Sequence, residues 1–147
     1  MAAYSSRSLV EKLGIKADTR IAILNAPPGY RTTLGTLPAG VRVMSSIRGM
    51  FSFIHFFARN RAALATKLGS MLEALEQNGV LWVSWPKKTS GVLTDMTENV
   101  VREIALPVGL VDIKVAAVDD VWSGLKLVRR LSRRKRTREP VAGSFVP

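Results

Sequence analysis

The sequence predicts an α/β protein of three layers, with helices on both faces of a mostly parallel sheet and an antiparallel hairpin at its C-terminal end. Three observations support this prediction. Strand-like apolar runs alternate with helix-like segments between residues 20 and 110. Two runs, FSFIHFF (51–57) and VLWVSW (80–85), are apolar on both alternating faces, as central covered strands are. The last two runs are joined by so few residues that they must be antiparallel.

The first third of the chain predicts one short helix and two short strands. RSLVEKLGI (7–15) has apolar residues on one side and Gly14 as its stop. RIAIL (20–24) is rich in β-forming residues, and the prolines of NAPPGY end it. GVRVM (40–44) is a second strand. About six residues link it to Phe51, fewer than a parallel crossover usually has, so either that strand is irregular or the crossover has lost its helix.

A longer helix is expected after the strand at 51–57. Asn60 is suited to be its N-cap. An apolar stripe then recurs at helical spacing from Leu64 to Leu75, and Asn78-Gly79 is typical of a left-handed C-cap.

A third predicted helix and the hairpin complete the pattern. TDMTENVVREIAL (94–106) has Asp95 and Glu98 at the spacing of a capping box. VDIKVAAV (111–118) and WSGLKLVRR (122–130) are the two hairpin strands, joined through Asp119-Asp120.

Composition bounds the class of protein. The chain has 147 residues and is 47% apolar, which fits one domain with a real core. Its longest apolar run has nine residues (50–58), and a membrane span needs about 20. Because the N-terminus also lacks a signal-like apolar segment, we expect a soluble cytoplasmic protein. With no cysteine and one histidine, disulfides, thiolate metal sites and multi-histidine metal sites are excluded.

The positive charge is concentrated near the C-terminus. The net charge is +11, and RRLSRRKRTR (129–138) holds seven of the 22 basic residues. We therefore expect a single domain over residues 1–131 and a basic tail without fixed structure over 132–147. The tail is suited to contact nucleic-acid phosphates, while contact with anionic lipid or a role in solubility remain alternatives. Its candidate nucleic-acid-binding residues are Arg133, Arg134, Lys135, Arg136 and Arg138.

The order of elements from about Arg20 to Arg130 resembles the Rossmann-like fold of S-adenosylmethionine-dependent methyltransferases, in a truncated form. More narrowly, LGIKADTRIAILNAPPGY and VLWVSWPKKTSGVLTDMTENVVREIALPVGLVDIKVAAVDDVWSGLKLVRR resemble a family of small bacterial proteins known as domain-of-unknown-function family three thousand and fifty-two. The resemblance implies a methyltransferase-like fold and no established activity.

The cofactor motif of that fold is altered in this chain. A nucleotide or adenosylmethionine site needs glycines after the first strand, where the backbone approaches the ligand. LNAPPGY has Asn25 where an acid would stand and Gly29 as its only glycine, and its two prolines lack N–H donors. After the second strand, Met44-Ser45-Ser46 stands where an acid would accept from ribose hydroxyls. S-adenosylmethionine is therefore a candidate cofactor by resemblance alone, with Asn25, Gly29 and Ser84 as its candidate binding residues.

The residues predict no catalytic group and no metal site. His55 lies in an apolar strand, which favours a core histidine bonded to a neighbour over a general base. Asp119 and Asp120 are more typical of a hairpin turn than of paired carboxylates. Trp82 and Trp122 are expected in the core.

The junction after VLWVSW predicts an anion site. It follows a strand of an open α/β sheet, and ligands of such sheets bind at the carboxyl ends of the strands. The start of the next helix adds unpaired N–H groups, although Asp95 at that start would repel an anion. The candidate residues are Trp85, Lys87, Lys88, Thr89, Ser90 and Gly91. The alternative is a solvated loop.

Three functions follow, in order of preference. The first is a non-catalytic methyltransferase-like protein that binds a small anionic ligand or a protein partner at the strand ends. The second is a nucleic-acid-associated accessory protein that acts through the basic tail. The third is an atypical S-adenosylmethionine-dependent methyltransferase.

Overall fold

The structure, a computed structural model, describes residues 7–131. The predicted basic tail therefore lies outside the described residues. The helices are α1 (Leu9–Leu13), α2 (Tyr30–Leu34), α3 (Arg61–Ala74) and α4 (Glu98–Ala105). The strands are β1 (Arg20–Leu24), β2 (Arg42–Met44), β3 (Phe51–Phe57), β4 (Leu75–Pro86), β5 (Leu110–Ala117) and β6 (Trp122–Arg129). Two 3-10 turns cover Lys88–Ser90 and Leu106–Val108.

The six strands form one sheet in the order β2-β1-β3-β4-β6-β5. β1 is parallel to β2 and β3, and β3 is parallel to β4. β6 is antiparallel to both β4 and β5. The predicted mostly parallel sheet with a C-terminal antiparallel hairpin is confirmed. Within the hairpin, the antiparallel strand β6 lies inside the sheet, and the outermost strand β5 runs parallel to β4.

Apolar side chains cover the sheet on both faces, which gives the predicted three layers. On one face, α3 and α4 contribute Leu64, Leu68 and Val101 to a core with Ile54 and Val83 of the sheet. On the other face, α1 and α2 contribute a second core. Its members include Val10, Leu13, Tyr30, Ile21 and Phe53. Alternate residues of β1 point to the two cores, as the period of a strand requires.

The link from β2 to β3 contains no helix, so the crossover has lost its helix as the short spacing allowed. β1 lies between the two strands, and residues 45–50 must pass it. Met44 of β2 pairs with Ala22 of β1, and Phe53 of β3 pairs with the neighbouring residue Ile21. Met44 and Phe53 therefore lie at nearly the same height along β1, and the link has only a short distance to cover. In place of a helix, half-buried Ile47 packs against the core on the α3 side.

The C-terminal end predicted for the helix after Asn60, which is α3, is wrong. α3 ends at Ala74, and Leu75 already pairs with Phe51 as the first residue of β4. Gly79 does not have a positive φ, so it is not a left-handed cap. It is instead a point of close approach, because a Cβ there would lie 2.8 Å from Leu75 Cδ1. Glycine fits the irregular stretch that precedes the regular pairing at Val80.

Besides the end of α3, three other helix caps were predicted, of which two are confirmed and one is wrong. Gly14 ends α1 with a φ of 82°, and the Asn60 side chain accepts from the Ala63 N–H at 2.8 Å at the start of α3. The Asp95–Glu98 capping box is wrong, because Thr97 is the N-cap of α4 and its hydroxyl accepts from the Val100 N–H. Asp95 instead accepts from the backbone N–H of Arg61 at 2.8 Å, in the first turn of α3.

Candidate ligand-binding site

The carboxyl ends of β1 and β3 meet where the chain reverses its course through the sheet. From β1 the chain moves outward to β2 and then returns past β1 to β3, which makes this a topological switch point, the usual place for ligands in open α/β sheets. Asn25 follows β1 with a φ of 63°. Its Nδ2 donates to the Phe57 carbonyl at 2.9 Å, and Arg59 Nη1 donates to the Asn25 carbonyl at 2.6 Å. These two hydrogen bonds join the strand ends.

A cavity of about 530 Å³, here called the α3 cavity, opens beside this switch point. It lies between the ends of β1 and β2 and the first two turns of α3. Its lining residues are Leu24, Asn25, Ser45, Ser46, Phe56, Ala62, Ala63, Thr66 and Lys67. Asn25 and the two serines lie where acidic residues of the cofactor motif were expected from the sequence.

A second cavity of about 690 Å³, here called the β4 cavity, lies at the carboxyl end of β4. Five of the six residues predicted for the anion site line it: Trp85, Lys87, Lys88, Thr89 and Gly91. The remaining lining residues are Pro86, Val92, Leu93, Thr94, Met96, Thr97, Glu98 and Ser123. The sixth predicted residue, Ser90, orders the turn: its hydroxyl donates to the Lys87 carbonyl at 2.6 Å and accepts from the Val92 N–H at 3.1 Å.

The charge on the lining of the β4 cavity is positive. Neither Lys87 nor Lys88 makes an ion pair within residues 7–131. Glu98 is the one carboxylate of the lining, and it pairs with Arg102. Arg102 Nε also donates to Asp112 Oδ2 at 3.0 Å, and this hydrogen bond lowers the pKa of the Asp112 carboxyl group. Asp95, which was expected to repel an anion at the start of α4, does not line the cavity, and its carboxylate accepts from the Arg61 N–H.

The three tryptophans are all buried. Trp82 and Trp122 belong to the core on the α1–α2 side, as expected, and Trp82 Nε1 donates to the Leu13 carbonyl at 2.9 Å. Trp85 belongs to the core on the opposite face and also forms part of the wall of the β4 cavity.

His55 is the centre of a buried polar network. Its Nδ1 lies 2.7 Å from the Tyr30 hydroxyl, and its Nε2 lies 2.7 Å from the Ser84 hydroxyl. Its ring stacks on Phe57 with 4.2 Å between the ring centroids. Burial lowers the pKa of His55 to about 3 and raises the pKa of Tyr30. The ring is therefore neutral at physiological pH, as expected for a core histidine.

The three candidate cofactor residues lie at separate places. Asn25 lines the α3 cavity. Gly29 is the N-cap of α2 with a φ of 84°, and Ser84 is fully buried against His55. Neither Gly29 nor Ser84 lines one of the two cavities described above.

The sequence reasoning missed Lys67 and Thr66, which line the α3 cavity. The α3 pattern places both residues on the solvent side of the predicted helix, so they resemble ordinary surface positions. They line a cavity because the helix-free link at 45–50 passes close to this side of α3, which the spacing alone did not show.

The turn at Asp119-Asp120 is structural, as expected. Asp119 Oδ1 accepts from the backbone N–H groups of Val121 and Trp122, both at 2.8 Å. Within residues 7–131, no group of three or more potential metal-binding side chains comes together, and no helix is long and apolar enough to cross a membrane.

Comparisons with known proteins identify the class of fold. Magnesium protoporphyrin IX methyltransferase from Synechocystis, solved with bound SAM, aligns with a TM-score of 0.54 and 10% identity over 83% of this chain and 74% of that one. Ribosomal protein L11 methylase from Lactobacillus delbrueckii subsp. bulgaricus aligns at 0.52 and 10% identity, over 83% of this chain and 75% of that one. A methyltransferase from Pyrococcus furiosus aligns at 0.52 and 10% identity, over 81% and 78% respectively.

At this level of identity the similarity shows the fold alone. The chain has the Rossmann-like fold of S-adenosylmethionine-dependent methyltransferases, as its element order predicted. No protein-family model matches the chain, and no curated protein matches it.

Proposed function

We propose that this protein is a non-catalytic, methyltransferase-like protein that binds a small anionic ligand in the β4 cavity. The observation that carries the proposal is the lining of that cavity. Lys87 and Lys88 lie together at the carboxyl end of β4, without ion pairs to the residues described, while the one lining carboxylate pairs with Arg102.

Each part of the lining has a use in binding such a ligand. The two ammonium groups attract a phosphate or carboxylate, and the Thr89 hydroxyl adds a hydrogen-bonding group. The first turn of α4 adds the partial positive charge of a helix start. Trp85 and Met96 supply an apolar wall for the rest of the ligand. A cavity of about 690 Å³ is in the size range of small-molecule sites.

The absence of catalysis in this proposal rests on the state of the candidate groups. A general base must reach its substrate and titrate near the working pH. His55 is fully buried, uses both ring nitrogens in hydrogen bonds, and has its pKa lowered to about 3. Glu98, the one carboxylate in the lining of the β4 cavity, is engaged in an ion pair with Arg102.

The proposal also covers the kind of partner, the family and the location of the protein. The anionic group can be carried by a protein partner instead of a free small molecule. The resemblance of the two quoted sequence stretches supports membership of the small bacterial family named above. We also propose that the protein is cytoplasmic, because its longest apolar run has nine residues and its N-terminus has no signal-like apolar segment.

A second candidate function is an atypical S-adenosylmethionine-dependent methyltransferase. The observation that favours it is the position of the α3 cavity, between the ends of β1 and β2, with Asn25 in its wall. Transfer of a labelled methyl group from adenosylmethionine to a cell extract tests it directly. A third candidate, contact with nucleic acid, rests on the basic residues of the tail.

The proposed anion site is tested by thermal unfolding of the full chain with a panel of anions that carry no nucleobase: inorganic phosphate, pyrophosphate and small dicarboxylates. A ligand at about 100 times its dissociation constant adds roughly 2.7 kcal/mol of stability. In a chain of this size that raises the melting temperature by roughly 5 to 10 °C. We expect at least one anion to do so.

The matched variants decide where the anion binds. Lys87→Glu/Lys88→Glu should remove the shift. Lys16→Glu/Arg42→Glu, which makes the same change in net charge outside both cavities, should keep it. An equal shift in the Lys87/Lys88 variant and the wild type contradicts the assignment, as does the lack of a shift with every anion of the panel.

A further inference from the structure

We infer that the α3 cavity is a second ligand site, which takes a phosphorylated nucleoside with its phosphate group beside Lys67. This inference does not depend on the β4 cavity, since no residue lines both cavities. It also differs from the second candidate function, because it assigns the cavity to an anion and not to the cationic adenosylmethionine.

The polar part of the lining is suited to phosphate. Lys67, Ser45, Ser46 and Thr66 supply one ammonium group and three hydroxyl groups, and no carboxylate lines the cavity. Lys67 is half-buried and makes no ion pair among the described residues. Glu73 lines an adjoining cavity that Lys67 also borders, and it is not within ion-pair distance of Lys67.

The apolar part of the lining is suited to a nucleobase. Leu24 and Phe56 form a buried apolar floor, and Ala62 and Ala63 add small side chains that leave room for a flat group. The cavity lies beside the topological switch point, where open α/β sheets bind nucleotides. Its volume of about 530 Å³ is within the range of small-molecule sites.

The residues after β2 determine which charge the site prefers. Dinucleotide sites that bind an unmodified ribose have an acidic residue here, which accepts hydrogen bonds from the ribose hydroxyls. Sites that bind a ribose with a 2′-phosphate have a cationic side chain nearby. This chain has Ser45 and Ser46 after β2, with Lys67 in the facing wall. Adenosylmethionine carries a net positive charge, which the positive charge of Lys67 disfavours, whereas a phosphate group would neutralise that charge.

The missing crossover helix explains why the cavity is open. Residues 45–50 pass beside α3 as a link without helix or strand, and half-buried Ile47 is the one side chain of the link that packs against the core. The exposed side of α3, including Ala62 and Thr66, is therefore left next to the ends of β1 and β2.

The test is calorimetric titration of the full chain with adenosine 2′-monophosphate, adenosine, inorganic phosphate and adenosylmethionine. We expect the monophosphate to bind more tightly than each of the other three. Lys67→Gln should weaken it by about tenfold or more, since it removes a charge-assisted hydrogen bond. Lys16→Gln, the control for net charge, should bind as the wild type does.

The two proposed sites are separated by a third variant. Lys87→Glu/Lys88→Glu should keep the affinity for the monophosphate, whatever it does to anions of the β4 cavity. The inference is overturned if the monophosphate does not bind, if Lys67→Gln binds it as the wild type does, or if adenosylmethionine binds more tightly. Loss of monophosphate binding in the Lys87/Lys88 variant alone would support the β4 cavity and overturn the α3 site.

Discussion

Acid should destabilise this protein through His55, and the size of the effect can be worked out from its surroundings. The pKa of His55 falls from 6.5 to about 3 because the ring is fully buried. Between these values the unfolded chain binds a proton that the folded chain does not, so stability falls as the pH falls. The folded protein keeps its full stability with respect to His55 above pH 6.5. The loss of stability caused by His55 reaches its maximum once the pH falls below 3.

At about pH 5 the unfolded histidine is almost fully protonated while the folded one is not. The difference of roughly 1.5 pH units from the unfolded pKa corresponds to a loss of about 2 kcal/mol. This is a large share of the 5 to 15 kcal/mol that is typical of folded domains. The buried tryptophans provide a fluorescence signal for urea unfolding at about pH 7, 6 and 5.

The control is His55→Gln, which keeps one donor and one acceptor for Tyr30 and Ser84 but cannot titrate. Other groups titrate in both proteins, so their effects cancel in the difference between the two stabilities. We expect the wild type to lose about 2 kcal/mol more than the variant between pH 7 and about pH 5. Parallel losses in both proteins would refute the reasoning, because they would mean that His55 takes up its proton in the folded state.

Three further predictions concern packing, capping and the tail. Gly124→Ala should cost about 1 to 3 kcal/mol in a urea titration, because its Cβ would lie 2.9 Å from Ser84 Oγ and 3.1 Å from Trp82 Cε3; a change within error would mean that β6 can shift. Asp95→Ala should cost about 1 kcal/mol by removing the acceptor for the Arg61 N–H, and Asp95→Asn should cost less; equal losses would point to another role for the carboxylate. Deletion of residues 132–147 should leave the melting temperature unchanged and abolish a salt-dependent gel shift with nucleic acid; a gel shift that persists would remove the tail from that function.

The architecture was predictable because its main strands and helices follow simple periodic patterns. β3 and β4 are apolar on both faces, and the α3 stripe has helical spacing, so local pattern and tertiary burial agree there. The hairpin was predictable because its connection leaves no other geometry. The short helix α2 was not predicted, since its five residues offer only one apolar pair, Tyr30 and Leu34, and follow two prolines.

The element boundaries were less predictable, because contacts distant in sequence decide them. Asn78-Gly79 has the composition of a helix end, yet pairing of Leu75 with Phe51 starts the strand earlier. Asp95 has the spacing of a cap for α4, yet it bonds to the start of α3, 34 residues away along the chain. Neither partner can be identified from local spacing.

The candidate sites divide in the same way. Most of the β4 cavity is one continuous stretch, Trp85 to Glu98, so its residues could be named from the sequence. The α3 cavity is assembled from four separate segments of the chain, and the sequence indicated only Asn25 and the two serines after β2. The lysine that determines its charge comes from the solvent side of a helix.

The central claim is that the carboxyl end of β4 holds an anion site, and its most direct test is an NMR titration of the ¹⁵N-labelled full chain with pyrophosphate. The account predicts saturable shifts of the backbone amides of residues 87–97, with one dissociation constant for all of them. Shifts that do not saturate, or that follow every surface lysine of the chain equally, would show non-specific attraction to a basic protein and would contradict the claim.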